Sequence, residues 1–182
     1  DMQVDFAASD GAMAKEGFDV VAAQAAVKQA ELLAAAARAA NVPLIFVRLI
    51  TRPEEETPFL EEWKARRGSN DAPLCREGTR GAQFFGPQPA GGDYVVSKSR
   101  YSAFAGTLLD ESLRARGRDM LVLCGLTTEC CIDAAAQDAF ARDYHVFIAS
   151  DSVVGYEPDL HDAALKALSL NCAGLAQTAQ IV

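Results

Sequence analysis

Apolar residues along this chain fall into short solid runs separated by longer mixed stretches. Leu44-Ile45-Phe46-Val47, Tyr94-Val95-Val96, Met120 to Cys124 and His145 to Ala149 are nearly bare of polar residues. Such runs predict strands buried on both faces rather than strands with one wet face. Ala176 to Val182 is read as a last strand. Between the runs the period changes. Asp19 to Ala39 is alanine-rich, with Val20, Val27, Leu32 and Leu33 near helical spacing, and Asn41-Val42-Pro43 closes it. Thr107 to Arg116 sets Leu108, Leu109 and Leu113 on one helical face, and Gly117 ends it. Glu129 to Arg142 and Asp159 to Leu170 read as two more helices.

Strands without polar residues alternating with helices predict a three-layer α/β/α sandwich. Its central sheet is mostly parallel, with about six strands. Arg52 to Gly92 stands apart. It holds five of the seven prolines, so it reads as an irregular excursion with one short helix around Phe59 to Arg67. Loops of that length in a compact domain tend to carry function. No repeat or linker divides the chain, so residues 1–182 are expected to form a single domain.

Composition narrows the partners. The chain has 182 residues, half of them hydrophobic, and a formal net charge of −8. An acidic chain is a poor match for nucleic acid, which is held by neutralising phosphates. No apolar run approaches the roughly 20 residues that span a bilayer, and no basic amphipathic helix suggests a membrane surface. The five cysteines, Cys75, Cys124, Cys130, Cys131 and Cys172, are odd in number and show no disulfide spacing. That points to a reducing, cytoplasmic setting.

In an open parallel sheet, ligands bind beyond the carboxyl ends of the strands. Three reactive groups are expected there. Lys98 follows the Tyr94–Val96 run directly. Cys130 and Cys131 follow the Met120–Cys124 run across Gly125-Leu126-Thr127-Thr128. Asp1 opens DMQVDF, which reads as the end of a strand. Cys131 would stand in the first turn of its helix, where amide dipoles favour a thiolate. The plain alternatives are a small core thiol for Cys131, a solvated charge for Lys98 and a turn residue for Asp1. Cys124 reads as core. Dinucleotide, phosphate-loop and serine-elbow motifs are absent. His145 and His161 are too few and too far apart for a histidine metal site.

Three segments together, DMQVDF, VVSKSRYSAF and GLTTECCIDAAAQDAFARDYHVFIASDS, resemble the isochorismatase-like cysteine hydrolases. The resemblance implies a catalytic triad of Asp1, Lys98 and Cys131, with Cys131 chosen over Cys130 because Ile132 follows it. It also implies a cis peptide at Leu126-Thr127 and an oxyanion hole from the Thr127 and Cys131 amides. Phe6 and Tyr101 match positions near the substrate, and Asn171 is a further candidate for substrate contact. CREGTRGAQF is most similar to the ureidoacrylate, N-carbamoylsarcosine and biuret amidohydrolase branch. The nicotinamidases' DxHxxH site has no counterpart, so no metal and no cofactor are expected.

The activity so implied is cysteine-dependent hydrolysis of a C–N bond in a small amide or ureido compound. A vinyl-ether hydrolase of the isochorismatase type and a non-catalytic binding protein are the alternatives. A homo-oligomer is implied as well. Family members carry an apolar strand immediately before the catalytic Asp, so the natural protein is expected to extend upstream of Asp1.

Overall fold

The computed structural model describes residues 1–66 and 73–182. Five strands are found among them: β1 (Ile45–Leu49), β2 (Tyr94–Lys98), β3 (Met120–Leu126), β4 (His145–Val154) and β5 (Gly174–Ala176). β1 pairs with β2, and β3, β4 and β5 pair in that order. Every pairing is parallel. The expected parallel character holds, with five described strands in a pair and a triple. The strands run further than their solid apolar cores, because a ladder does not stop where the hydrophobic run does.

The helices in chain order are α1 (Val4–Ala7), α2 (Ala12–Lys15), α3 (Val21–Ala39), α4 (Pro58–Arg66), α5 (Leu109–Ala115), α6 (Asp133–Phe140), α7 (Pro158–Asn171) and α8 (Thr178–Ile181). Asp19 accepts the Val21 N–H at 2.9 Å and opens α3. Ala23, Val27, Ala30 and Ala34 form its buried stripe, and these small side chains suit close packing on β3 and β4. Its end is a Schellman motif. Val42 N–H returns to Ala37 O and Asn41 N–H to Arg38 O, with Asn41 at φ +55°. Gly117 closes α5 in the same way.

Two apolar clusters lie against the strands. One gathers Phe104, Leu109, Ala136, Val146, Ile148 and Leu168. The other gathers Met2, Phe6, Val27, Ile50 and Leu126. This is the layered arrangement expected of an α/β domain.

Three expectations are corrected. Ala176 to Val182 is not one strand. Pairing ends at Ala176, where Gln177 and Gln180 form a capping box that turns the chain into α8. DMQVDF is not the end of a ladder strand. Only Gln3 makes a bridge, with Phe84, and α1 begins at Val4. Glu129 to Arg142 is not one helix either. A π-helical turn, Thr128–Ile132, precedes α6, so Cys131 stands before the α-helix and not in its first turn. In the excursion, α4 matches the expected short helix up to Arg66, and Arg67 lies outside the described residues.

Candidate active site

The carboxyl ends of β2 and β3 bring the site together. Lys98 closes β2 and is 4% exposed although charged. A buried lysine needs partners, and it has four. Its Nζ lies 2.7 Å from Asp1 Oδ2, 3.2 Å from Cys131 Sγ, 3.0 Å from Arg100 O and 2.8 Å from Tyr101 O. An ammonium has three hydrogens, so the four acceptors exceed the donors. The side chains of Lys98 and Asp1 are 1% and 2% exposed. Asp1 Oδ1 is buried and has no hydrogen-bond partner.

Asp1 is placed through its neighbour. Gln3 is fully buried, and its side chain donates to Leu49 O at 2.8 Å and to Ala82 O at 3.0 Å. It also accepts the Leu49 N–H at 2.8 Å. These bonds tie the segment to the end of β1 and to the excursion. On the other side, a Cβ on Gly125 would come 3.7 Å from the Asp1 nitrogen.

Cys131 is carried by the π-helical turn. Thr127 O accepts the N–H groups of both Cys130, at 3.3 Å, and Ile132, at 3.1 Å. The Leu126–Thr127 peptide bond is cis. The Cys131 thiol is held above the usual thiol range. A hydrogen bond with Cys130 and then burial favour the protonated form, while the Lys98 ammonium opposes them. That direction is opposite to the one a helix N-terminus alone would give. Among the described residues, no group of three or more His, Cys, Asp and Glu could hold a metal ion.

A carboxylate with a free oxygen, a shared ammonium and a thiol thus converge on one buried point. A profile of the isochorismatase domain matches residues 1–180. The chain belongs to the isochorismatase family. It is 32% identical over 178 residues to ureidoacrylate amidohydrolase RutB of Methylobacterium radiotolerans, covering 91% of this chain and 69% of that protein. An isochorismatase family protein from Desulfovibrio vulgaris superimposes with a TM-score of 0.84 at 29% identity, covering 100% of this chain and 92% of that one. N-carbamoylsarcosine amidase from Thermoplasma acidophilum gives a TM-score of 0.76 at 26% identity, covering 98% and 92% respectively. The fold class expected from the strand pattern is the fold of this family.

The other expected site residues scatter. Tyr101 reaches Lys98 through its carbonyl, and its side chain is at the surface, the residue being 57% exposed. Phe6 is buried in the cluster with Met2 and Leu126, and its carbonyl accepts the Tyr156 hydroxyl at 2.6 Å. Asn171 is a correction. α7 runs back from the carboxyl end of β4, so its last residue lies at the opposite end of the sheet. There Asn171 lines a groove of about 410 Å³ with His145 and Gly174, and its amide donates to Ala167 O at 2.8 Å. Cys124 is exposed and not core. It leaves β3 on the same side as the exposed Met120 and Val122.

Sequence reasoning missed Gln3 and the Cys130 sulfur. A buried glutamine has no local signature, because its need for burial appears only once Leu49 and Ala82 are brought beside it. Cys130 carried one signal, its adjacency to Cys131.

Proposed function

We propose that this isochorismatase-family chain is a hydrolase of carbon–nitrogen bonds other than peptide bonds, with Cys131 as nucleophile, Asp1 as general acid and base, and Lys98 as the cation between them. The observation that carries the reading is the position of Lys98 Nζ, 2.7 Å from Asp1 Oδ2 and 3.2 Å from Cys131 Sγ. A buried ammonium there favours negative charge on either neighbour.

The resting thiol gives its proton to Asp1 as sulfur attacks the substrate carbonyl carbon. The carbonyl oxygen takes the negative charge and rests on the Thr127 and Cys131 amides. Losing one such donor typically costs roughly 3 to 4 kcal/mol of transition-state stabilisation. The intermediate collapses, the C–N bond breaks, and the proton on Asp1 leaves with ammonia or the amine. A thioester remains on Cys131. Water then attacks it, Asp1 takes the water proton, and the carbon–sulfur bond breaks to release the acid. The thiol is restored when Asp1 returns its proton. Asp1 Oδ1, which is unpaired, is the acceptor this cycle needs. The names of the ureidoacrylate and N-carbamoylsarcosine relatives point to a small ureido or carbamoyl compound as substrate, with Tyr101 at the entrance.

The test is ammonia release from a panel of ureido, carbamoyl and simple amide compounds, run with hydroxylamine present. Turnover that yields a hydroxamate from an amide, or an N-hydroxyurea from a ureido or carbamoyl compound, establishes the acyl-enzyme. Release that persists in Cys131→Ser would reject the nucleophile assignment in favour of a cysteine-independent hydrolase.

A further inference from the structure

The turn that carries Cys131 is braced from outside by the connection between β4 and α7. Thr128 opens that turn and is fully buried. Its hydroxyl lies 2.8 Å from Nδ1 of His161, in the first turn of α7. One residue on, the Glu129 carboxylate packs against Gly155, where a Cβ would come within 2.3 Å of Oε2. That carboxylate oxygen is buried and unpaired. Two consecutive residues of the turn therefore lean on the same short segment, one through a hydrogen bond and one through a missing side chain. A buried hydroxyl left without its partner is costly, so this bond holds the Thr128 side chain in place. Thr128 directly follows Thr127, whose amide is assigned to the oxyanion.

We infer that His161 is a positioning residue for the reaction: through Thr128 it fixes the turn that presents the Thr127 amide and the Cys131 sulfur to the reacting carbon. His161 touches neither substrate nor reacting atoms in this role. The imidazole acts through Nδ1, whichever tautomer it takes, because a threonine hydroxyl both donates and accepts. The inference rests on the acyl-transfer reading given above, and the experiment separates the two.

Wild type, His161→Ala, Thr128→Val and the double variant are compared for kcat, KM and the rate of Cys131 alkylation by iodoacetamide. Misplacing a reacting group by about 1 Å can lower a rate roughly 100-fold, so His161→Ala is expected to lower kcat about 10- to 100-fold. KM should stay within about twofold, because ground-state binding is untouched. Thr128→Val should lose a similar factor, and the double variant should lose no more than either single one, as residues acting through one bond are not additive. Losses that multiply, or a change confined to KM, overturn the inference. Should His161→Ala fail to fold, His161→Asn and His161→Gln decide. Asn places its amide near the Nδ1 position and should keep activity, whereas Gln reaches the Nε2 position and should not; equal activity overturns the brace. Absence of wild-type turnover on every amide and ureido compound would reject the acyl-transfer reading instead. In that case the alkylation rates alone decide, an unchanged rate in His161→Ala counting against the brace.

Discussion

Gln3 and Leu49 form a reciprocal pair: the glutamine amide donates to the Leu49 carbonyl and accepts the Leu49 N–H, each at 2.8 Å. A side chain here does what a neighbouring strand would do for the end of β1. It also fixes the residue two positions from Asp1.

Replacing it tests that link. Gln3→Leu keeps the volume but strands the Leu49 N–H, the Leu49 carbonyl and the Ala82 carbonyl. A buried polar group left without a partner costs about 1–3 kcal/mol. Gln3→Leu is therefore expected to lower unfolding stability by about 3 kcal/mol in urea titration. Activity should fall as well, in the fraction that remains folded. Unchanged stability would show that the pair is dispensable.

Lys98→Met removes the cation and leaves the Asp1 carboxylate buried without its charge partner. Breaking a buried pair on one side typically costs roughly 3–5 kcal/mol. The variant should melt well below wild type at neutral pH and regain part of the difference in acid, where Asp1 protonates. A melting temperature equal to wild type would mean that the pair is solvated in solution.

Cys130→Ala removes the hydrogen bond that holds the Cys131 proton most firmly. Lys98 then faces less opposition. Alkylation of Cys131 by iodoacetamide near pH 7 should become faster than in wild type, with the modified peptide identified by mass spectrometry. A slower rate would show that Cys130 assists the thiolate instead.

Stability at alkaline pH has a defined sign. Cys75 is fully buried, and burial, with Asp5 nearby, pushes its thiol from 9.0 to about 12. The folded state therefore holds that proton more tightly than the unfolded state. Its contribution is complete below about pH 9 and is lost as the pH climbs from 9 toward 12. Tyr144 adds to the trend, since burial and then its bond to Asp110 raise it from 10.0 to about 12. The melting temperature should fall steeply above pH 9. In Cys75→Ala the slope between pH 9 and 10 should be shallower, because one of the raised thiols no longer titrates.

The legible part of this molecule is the part set by local rules. The strand cores are continuous apolar runs, and α3 and α5 end where Asn41 and Gly117 permit a left-handed residue. Lys98 was singled out by its place just beyond a buried run, and its role came from the resemblance carried by VVSKSRYSAF. Features that depend on distant partners were not legible. Cys131 was placed in a helix by periodicity, yet Cys130 and Ile132 both return to Thr127 O and widen the turn. Gln177 looked like strand until its bond with Gln180 turned the chain. Asn171 was misplaced because its position depends on the direction in which α7 crosses the sheet, and a helical pattern does not encode that direction.

The crowding at Lys98 has a dynamic consequence. With more acceptors than hydrogens, one neighbour goes unserved at each moment. The two carbonyls of Arg100 and Tyr101 and the Asp1 and Cys131 side chains share its three hydrogens. In the proposed reaction, where negative charge passes from Asp1 to Cys131, a rotation of the ammonium about its last bond is enough and the stem of the lysine need not travel. Little solvent is present to rearrange, since both side chains are almost fully enclosed. On that reading charge is relocated with minimal movement of heavy atoms.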